Sequence, residues 1–332
     1  MPHAFIEIEK AGLFTTIQDG GRAGKQMYGV PVSGAMDRFA MRVANLLVGN
    51  RPDGPVLEFT LIGPAVRFSC PQVIAVAGGD FQPRLDGEPM PAWQAVPVRA
   101  GALLTFGPCV AGARGYLAVA GGFQVPPVMG SAATYVRGGY GGWQGRALQA
   151  GDRIPVLDGT VFLRGTSPIR RRLAPPWIPD YAKPRPVRVI PGPHADMFRQ
   201  EAWKRLWTAP YRILPASDRM GYRLQGPALP HRQSADVLST YIFPGAIQVP
   251  ADGQPIVLMA DCQVTGGYAV IGVVAGADLP YLAQRKPGDE LRFRPVSVAE
   301  AQRLRRREAA FFARLRAGCG QHPKMRSSSE HC

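Results

Sequence analysis

Residues 245–268 read Gly245-Ala-Ile-Gln-Val-Pro-Ala-Asp-Gly-Gln-Pro-Ile-Val-Leu-Met-Ala-Asp-Cys-Gln-Val-Thr-Gly-Gly-Tyr268, and this stretch constrains the fold more tightly than any other. Its apolar run, Ile256 to Met259, lies between two turn-forming pairs, Asp252-Gly253 and Gly266-Gly267. Short apolar runs bounded in this way are typical of buried strands. Polar side chains therefore lie at the strand ends, beside glycines that let a ligand approach the backbone. The stretch predicts a pocket that recognises amide or carboxylate groups.

The polar residues that follow this strand are the first candidates for catalysis. Asp261 is placed to accept a proton, while Gln263, Thr265 and the neighbouring glycine amides would hold a developing oxyanion. Cys262 should point to the opposite face of the strand, so we interpret it as a buried structural thiol. The substrate-binding candidates from the same stretch are Gln248, Asp252, Gly266, Gly267 and Tyr268.

The N-terminal turn Gln18-Asp-Gly-Gly-Arg22 supplies another binding candidate. Arg22 could hold an anion through its planar fork while the glycine backbone donates nearby hydrogen bonds. The alternative is a tight turn in which Asp19 caps the backbone and pairs with Arg22. Asp37 opens a predicted helix, where the helix dipole favours an acid, so we prefer a structural role for it over a catalytic one.

Two further arginine motifs complete the set of binding candidates. Arg114 and Tyr116 begin a strand, and a guanidinium beside a phenol suits a carboxylate or ureido group. The competing interpretation of Arg114 is a salt bridge between domains. Asp218 and Arg219 lie in the polar stretch Ser217-Asp-Arg-Met-Gly-Tyr-Arg223, where they either bind substrate or pin a loop.

Composition limits the class of protein. The chain has 332 residues, which exceeds the usual size of a single core, so two domains are expected. A hydrophobic fraction of 46% with 19% charged residues is typical of a soluble globular protein. No apolar run is long enough to span a membrane, and the first residues do not resemble a signal peptide. We therefore expect a cytoplasmic protein without a membrane partner.

The distribution of charge and the spacing of cysteine and histidine residues limit the class of protein further. The net charge is +15, but the arginines cluster at 170–172 and 303–307 without an aromatic-studded binding motif, so no nucleic-acid partner is expected. A basic face that docks an acidic partner protein is the simpler interpretation. Five cysteines without a Cys-x-x-Cys pair, and five histidines without ligand spacing, predict neither a disulfide framework nor an intrinsic metal.

Thirty-three prolines and 39 glycines between short apolar runs predict a mainly β fold with few helices. Helices are predicted over 37–48, 195–207 and from the capping box Ser297-Val-Ala-Glu300. We expect an N-terminal domain over 1–164, a connector rich in proline and arginine over 165–186, and a C-terminal domain over 187–296. A helix over 297–318 and a polar, disordered tail over 319–332 would follow.

An internal repeat suggests that the two domains are duplicated units. Gly115-Tyr116 and Gly267-Tyr268 each precede an apolar strand, and each half closes with a Gly-Asp pair, at 151–152 and 288–289.

The quoted stretch and several others resemble the biotin-dependent carboxyltransferase family. The family includes allophanate hydrolase subunit 2, the C subunit of 5-oxoprolinase and the carboxyltransferase portion of urea carboxylase. The matching segments are Gln18 to Arg22, Ala44 to Asn50, Leu57 to Pro64, Ala113 to Gly122, Ser217 to Leu224 and residues 245–268. The resemblance implies two cyclophilin-like β-barrel domains. The chain departs from the family pattern at Val264, usually threonine, and at Ala269, usually proline.

The resemblance also implies a function. The leading hypothesis is one chain of a 5-oxoprolinase complex, which couples ATP hydrolysis to opening 5-oxoproline into glutamate. Its partners would be a B-type sister protein similar to allophanate hydrolase subunit 1, and an A-type protein; alone the chain would be inactive. The substrate would be a small amide or lactam. Because the sequence has no Walker A motif, ATP would be used by the complex.

Two alternatives stay open. The chain could transfer carbon dioxide from carboxybiotin, supplied in trans, to a urea-like or amide acceptor. It could also be a non-catalytic regulator that binds a sister protein resembling a kinase inhibitor, in which case the basic face would matter more than Asp261.

Overall fold

Short β-strands make up most of the chain. A computed structural model describes residues 4–159 and 171–319, and within them the fold is mainly β, as the sequence predicts. Part of the predicted connector and nearly all of the predicted tail lie outside the described residues. The domain boundaries stay predictions; below, the N-terminal half means residues 4–159 and the C-terminal half residues 171–319.

The N-terminal half contains two antiparallel sheets packed on one core. One has six strands in the order β11-β1-β4-β9-β6-β7, and the other has five in the order β2-β3-β10-β5-β8. The strands are β1 Phe5–Lys10, β2 Phe14–Gln18, β3 Val56–Thr60, β4 Ala65–Phe68, β5 Gln72–Asp80, β6 Arg84–Leu85, β7 Glu88–Pro89, β8 Ala95–Val98, β9 Leu103–Thr105, β10 Ala111–Val119 and β11 Arg153–Pro155.

An eight-stranded sheet dominates the C-terminal half. Its order is β20-β13-β14-β17-β16-β19-β12-β21, and its two edge strands follow one another in the chain, so the sheet curls into a nearly closed barrel. The pair β15-β18 forms a separate ribbon. The strands are β12 Val187–Pro191, β13 Tyr211–Ile213, β14 Gly221–Gln225, β15 Asp236–Tyr241, β16 Ala246–Gln248, β17 Ile256–Leu258, β18 Thr265–Tyr268, β19 Val270–Val274, β20 Glu290–Leu291 and β21 Phe293–Pro295.

The segment from Tyr268 to Val274 is divided between two sheets. Tyr268 ends β18 in the ribbon, whereas β19 belongs to the barrel. Ala269 makes the change of sheet, because its N–H donates to Ala235 at 2.8 Å and its carbonyl accepts from Val249 at 3.0 Å. The chain can therefore leave the barrel without losing backbone hydrogen bonds.

Four α-helices lie in the described part of the chain: α1 Arg38–Leu47, α2 Gln200–Thr208, α3 Leu279–Ala283 and α4 Val298–Gly318. The sequence correctly predicts the start of α4, where the Ser297 side chain accepts from the Glu300 N–H at 3.1 Å. The prediction for α2 is wrong at its start, because a 3-10 turn over Ala195–Met197 and an extended Arg199 precede the helix. No helix among the described residues is long and apolar enough to cross a membrane.

Helices α1 and α4 cover the outer face of the five-stranded sheet. Phe39 of α1 stacks on Phe311 of α4 at 5.3 Å between ring centroids, and Phe312 lies 5.4 Å from the same ring. These contacts bury the apolar face of α1 and place its N-terminus at the junction between the two halves, beside α3.

Candidate active site at the junction of the two halves

Arg219 connects the two halves through buried ion pairs. Its guanidinium donates to both carboxylate oxygens of Asp261, at 2.8 and 3.1 Å, and to the Glu58 carboxylate from β3. A further bond of 2.7 Å reaches the Gly34 carbonyl. Burial alone would lower the pKa of Arg219, but Asp261 and Glu58 raise it above its ordinary value, so the cation stays charged.

The second oxygen of Glu58 extends this network into the N-terminal half. It accepts from the Met36 N–H and from the Tyr116 hydroxyl, both at 2.8 Å, and that hydroxyl accepts from the Asp37 N–H at 2.7 Å. Burial, and then the charges of Glu58 and Asp37, hold the pKa of Tyr116 well above its ordinary value. Because Tyr116 is fully buried and its hydroxyl is already bonded, the contacts support a role in the junction rather than substrate binding.

Arg114 also bridges the two halves. Its Nη1 donates to the Tyr222 hydroxyl at 2.7 Å and to the Ala283 carbonyl. The Gln284 side-chain carbonyl accepts from the backbone N–H groups of Ala113 and Arg114, both at 2.9 Å. The structure therefore supports the interdomain interpretation of Arg114, through hydrogen bonds rather than a salt bridge.

Asp37 caps α1, as the sequence predicts, and also joins the junction. One carboxylate oxygen accepts from the Ala40 N–H at 2.9 Å. The other accepts from the Tyr181 hydroxyl at 2.7 Å and from the Gln284 amide at 2.8 Å. No cation pairs with this carboxylate among the described residues, and burial raises its pKa to about 6.

Asp37 should make stability fall as pH rises through 6. The native state holds its proton more tightly than the unfolded chain, so the contribution is fully present below pH 3.8 and is lost above the native pKa. The full effect is roughly 3 kcal/mol. Asp37→Asn is expected to flatten the dependence of the unfolding free energy between pH 5 and 7.5, measured by urea denaturation. Asp236→Asn, at an exposed position, is the control; an unchanged slope in the Asp37 variant would contradict the assignment.

Arg22 is a buried cation without a carboxylate in hydrogen-bonding contact among the described residues. It is 1% exposed. Its Nε donates to the Val128 carbonyl at 3.2 Å and its Nη2 to the Ala133 carbonyl, while Nη1 has no hydrogen-bond partner within residues 4–159 and 171–319. Burial lowers its pKa below the ordinary value, whereas Tyr140, Asp19 and Asp261 act in the opposite direction. The guanidinium thus carries a charge that no direct ion pair neutralises.

Asp19 has the capping role that the sequence suggests, but it does not form the predicted ion pair with Arg22. Its carboxylate accepts from the Gly21 N–H at 2.7 Å, from the Ser131 hydroxyl at 2.6 Å and from the Ala132 N–H at 2.6 Å. These bonds fix the loop whose carbonyls hold Arg22.

A glycine-rich loop, Arg137-Gly-Gly-Tyr-Gly-Gly-Trp143, encloses Arg22. The Tyr140 ring centroid lies 4.9 Å from the guanidinium carbon, within range of a cation–π contact. Gly141 has φ +76°, and a Cβ there would lie 2.4 Å from Arg22 Nη2, so only glycine permits this approach. Arg137 Nη1 lies 3.0 Å from the Met220 sulfur, which places the loop against the C-terminal half.

The charge of Asp261 reaches this loop. It offsets part of the lowering of the Arg22 pKa by burial, and it adds to burial in raising the pKa values of Tyr135 and Tyr140. We call Arg22, Tyr135, Tyr140, Asp261 and Arg219 the Arg22 cluster. Tyr140 packs on Arg22 and its ring centroid lies 5.4 Å from that of Tyr135, and Arg219 pairs with Asp261, whose charge acts on the other three residues. The cluster combines two cations, one carboxylate and two partly exposed phenols, a suitable set for a small planar anion.

The other sequence-predicted residues are not all in this cluster. Gln263 and Thr265 are exposed, in the segment that leads away from Asp261 into the ribbon. The Asp218 carboxylate accepts from the N–H groups of Met220 and Gly221, at 2.8 and 3.2 Å, and so pins its loop. Asp252 caps a turn by accepting from the Gln254 N–H at 2.9 Å, at the far end of β17 from Asp261.

Gln248 lies under the ribbon. It is 2% exposed, and its Nε2 has no hydrogen-bond partner in the part of the chain that the structure describes. A Cβ at Gly266 would lie 2.6 Å from that nitrogen, so the ribbon approaches the amide closely. Gly267 is partly buried and Tyr268 is exposed on the same ribbon. Cys262 is buried, which raises its pKa to about 12 and fits a structural thiol.

The chain matches the family model described as "carboxyltransferase domain, subdomain A and B" over residues 28–295. The chain belongs to this family. It is 39% identical to the C subunit of 5-oxoprolinase from Escherichia coli, over 93% of this chain and 97% of the relative. For the C subunit of 5-oxoprolinase from Haemophilus influenzae the identity is 37%, over 91% and 94%. Members of this carboxyltransferase-domain family therefore include subunits of enzymes.

A solved structure extends the comparison. The Kluyveromyces lactis urea carboxylase superposes on this family member with a TM-score of 0.84, at 30% identity, over 96% of this chain and 30% of the solved chain. This chain thus corresponds to one part of a longer polypeptide in that structure, whereas it spans nearly all of the two bacterial relatives. The fold predicted from the resemblance is confirmed.

Sequence reasoning gave no role to Glu58, although it anchors the junction. Glu58 is a charged residue inside the apolar strand Val56-Leu-Glu-Phe-Thr60, and it is 1% exposed. A carboxylate inside such a strand needs a cationic or hydrogen-bonding partner, which was an available signal. The partner itself, Arg219, is 161 residues away and could not be identified from spacing. Among the described residues, no group of three or more histidine, cysteine or acidic side chains could hold a metal ion.

Proposed function

We propose that this chain is the C subunit of an ATP-dependent 5-oxoprolinase that opens 5-oxoproline to glutamate together with A and B subunits. The observation that carries this proposal is the 39% identity to the Escherichia coli protein over nearly the full length of both chains. The B subunit would be of the allophanate hydrolase subunit 1 type. The free cysteines among the described residues suit a reducing cytoplasm.

The Arg22 cluster supports this function because 5-oxoproline is a small planar lactam with one carboxylate. Arg22 would attract the carboxylate, and the Tyr140 ring would pack against the lactam plane. Gln263 and Thr265, exposed beside Asp261, would contact the amide at the entrance.

Asp261 acts through Arg219 in this proposal. Both of its carboxylate oxygens accept hydrogen bonds from Arg219, so it is poorly placed as a free general base. The pair instead fixes a buried cation near the position where negative charge develops on the lactam oxygen. Preorganised charge of this kind lowers the barrier because it needs no reorganisation during the reaction. ATP would be consumed by the assembled complex, so turnover should require it.

Reconstitution tests the proposal. The three purified proteins are mixed with ATP and 5-oxoproline, and glutamate release is followed; turnover is expected only when this chain, both partners and ATP are all present. Omission of each component is the control. Assembly of the three proteins without any ATP-dependent glutamate release would exclude the proposal.

Carboxyl transfer from carboxybiotin is the second candidate, favoured by the urea carboxylase superposition. In that reaction the same cluster would hold a urea-like or amide acceptor, and biotin would arrive on a partner. Carboxylation of urea in the presence of a carboxylated biotin carrier, without turnover of 5-oxoproline, would select this candidate.

A further inference from the structure

A cavity lies between helix α1 of the N-terminal half and a part of the C-terminal half that includes α4. Its volume is about 370 Å³. It backs onto the junction, because Met36 and Ala260 in its wall adjoin residues bonded to Arg219. Neither the predicted catalytic residues nor Arg22 lines it.

Three arginine residues line this cavity, namely Arg38 and Arg42 of α1 and Arg305 of α4. Arg42 pairs with Asp53 at 2.8 Å, whereas Arg38 and Arg305 form no ion pair among the described residues. The cavity wall includes one carboxylate, Glu308. The lining thus has a clear excess of positive charge.

The charged groups around this cavity act on one another. Burial, followed by the charge of Arg42, lowers the pKa of Arg38, and the carboxylates of Asp53 and Asp19 offset this only in part. Burial raises the pKa of Glu308, whereas the charges of Arg42 and Arg305 act in the opposite direction. Arg42 lies over the Phe312 ring, with its guanidinium carbon 5.6 Å from the ring centroid, and the Arg305 side chain reaches Gly276, which also lines the cavity.

The rest of the lining is apolar. Met36, Met259, Leu279 and Phe312 form a wall that would contact the body of an organic ligand. The volume lies at the lower end of the range of small-molecule sites. One carboxylate can satisfy one guanidinium fork, whereas three arginines around one cavity suit an anion with three terminal oxygens and up to two charges.

We propose that this cavity binds a small organic phosphate, with its phosphate held by Arg38, Arg42 and Arg305 and its organic part against Met259, Leu279 and Phe312. The site is separate from the Arg22 cluster and does not depend on the proposed 5-oxoprolinase activity. It lies partly on α4, which follows the segment matched by the family model.

Calorimetric titration of the full chain with phenyl phosphate tests this proposal. Phenyl phosphate provides the phosphate and an apolar ring, benzoate provides the same ring with a carboxylate, and inorganic phosphate lacks the ring. Saturable binding of one phenyl phosphate per chain is expected, at least about tenfold tighter than binding of either comparison compound. Absence of saturable binding, or equally tight binding of benzoate, would overturn the proposal.

Matched arginine variants separate a defined site from general basicity. Arg305→Gln and Arg38→Gln are each expected to weaken phenyl phosphate binding about tenfold or more. Arg303→Gln removes the same charge from an exposed position of α4 that does not line the cavity, and should change affinity less than about twofold. Equal weakening by Arg303→Gln and Arg305→Gln would overturn the proposal. Because Arg305 is exposed, its variant should fold, and thermal unfolding verifies this.

Discussion

Replacing Arg219 with glutamine is expected to lower the free energy of unfolding by roughly 3–5 kcal/mol. The guanidinium is 8% exposed and satisfies two buried carboxylates from opposite halves of the chain. Its removal leaves Asp261 and Glu58 charged and without a cation. Buried charges that lose their partner cost far more than exposed ones, because water cannot replace the lost contact.

Urea denaturation measures this effect, and Arg223→Gln provides the matched control. Arg223 lies four residues away but is exposed, so its variant should stay within about 0.5 kcal/mol of the parent chain. Similar losses for the two variants would contradict the role given to Arg219.

Variants of the two carboxylates distinguish their contributions. Glu58→Gln and Asp261→Asn each leave Arg219 with one carboxylate, and a double-mutant cycle with Arg219→Gln gives the coupling of each pair. Coupling to both is expected. The coupling between Glu58 and Arg219 also measures how strongly the junction holds the halves together, because these two residues come from different halves.

Local sequence patterns predicted the elements but not their assembly. Helix α4 begins where its capping box predicts, because a helix start is decided by its own residues. The closure of the barrel is not local: β20 pairs with β13, and β21 pairs with β12. These partners lie 80 and 106 residues earlier in the chain, as Tyr211↔Leu291 and Val187↔Phe293 show. Periodicity identifies strands, whereas pairing between distant strands depends on the packing of the whole core.

The candidate site shows the same division. The sequence identified Arg22, Arg219 and Asp261 as polar residues beside turns, and the structure places them in one neighbourhood. The sequence could not show that Asp261 pairs with Arg219 and not with substrate. That pairing depends on a bidentate geometry that forms only in the folded chain. The sequence predicts that Asp252 binds substrate near Asp261, but strand β17 lies between the two carboxylates.

The junction and the Arg22 cluster depend on each other. Arg219 donates a hydrogen bond to the carbonyl of Gly34, which lies, like Arg22, in the connection between β2 and α1. Arg219 also pairs with Asp261, whose charge acts on Arg22 and Tyr140. A substrate bound at the cluster would therefore contact residues whose positions are fixed by interdomain bonds. This arrangement favours binding by a preorganised site over closure of the two halves around the substrate.

Arg22→Gln is expected to lower kcat/KM for 5-oxoproline in the reconstituted complex by about a hundredfold, equivalent to roughly 2.7 kcal/mol. Arg22 supplies the cation nearest the proposed substrate carboxylate, and glutamine keeps a donor for the Ala133 carbonyl while removing the charge. Lys25→Gln removes a charge from a neighbouring position of the same loop and should change kcat/KM less than about threefold. Assembly of the complex, followed by size-exclusion chromatography, should be unaffected in both variants.

The kinetic parameters of the Arg22 variant distinguish how its charge acts. If Arg22 holds the substrate carboxylate equally in the ground state and the transition state, the loss appears as a raised KM; if it stabilises charge that develops on the lactam, kcat falls. Arg22→Lys keeps the charge but loses the planar fork, so it should recover only part of the activity if the carboxylate is held by two hydrogen bonds. The described hydrogen bonds of the Arg22 guanidinium go to backbone carbonyls, so its charge is left for the substrate. Near-normal kcat and KM in an assembled complex that carries Arg22→Gln would therefore remove Arg22 from the substrate site.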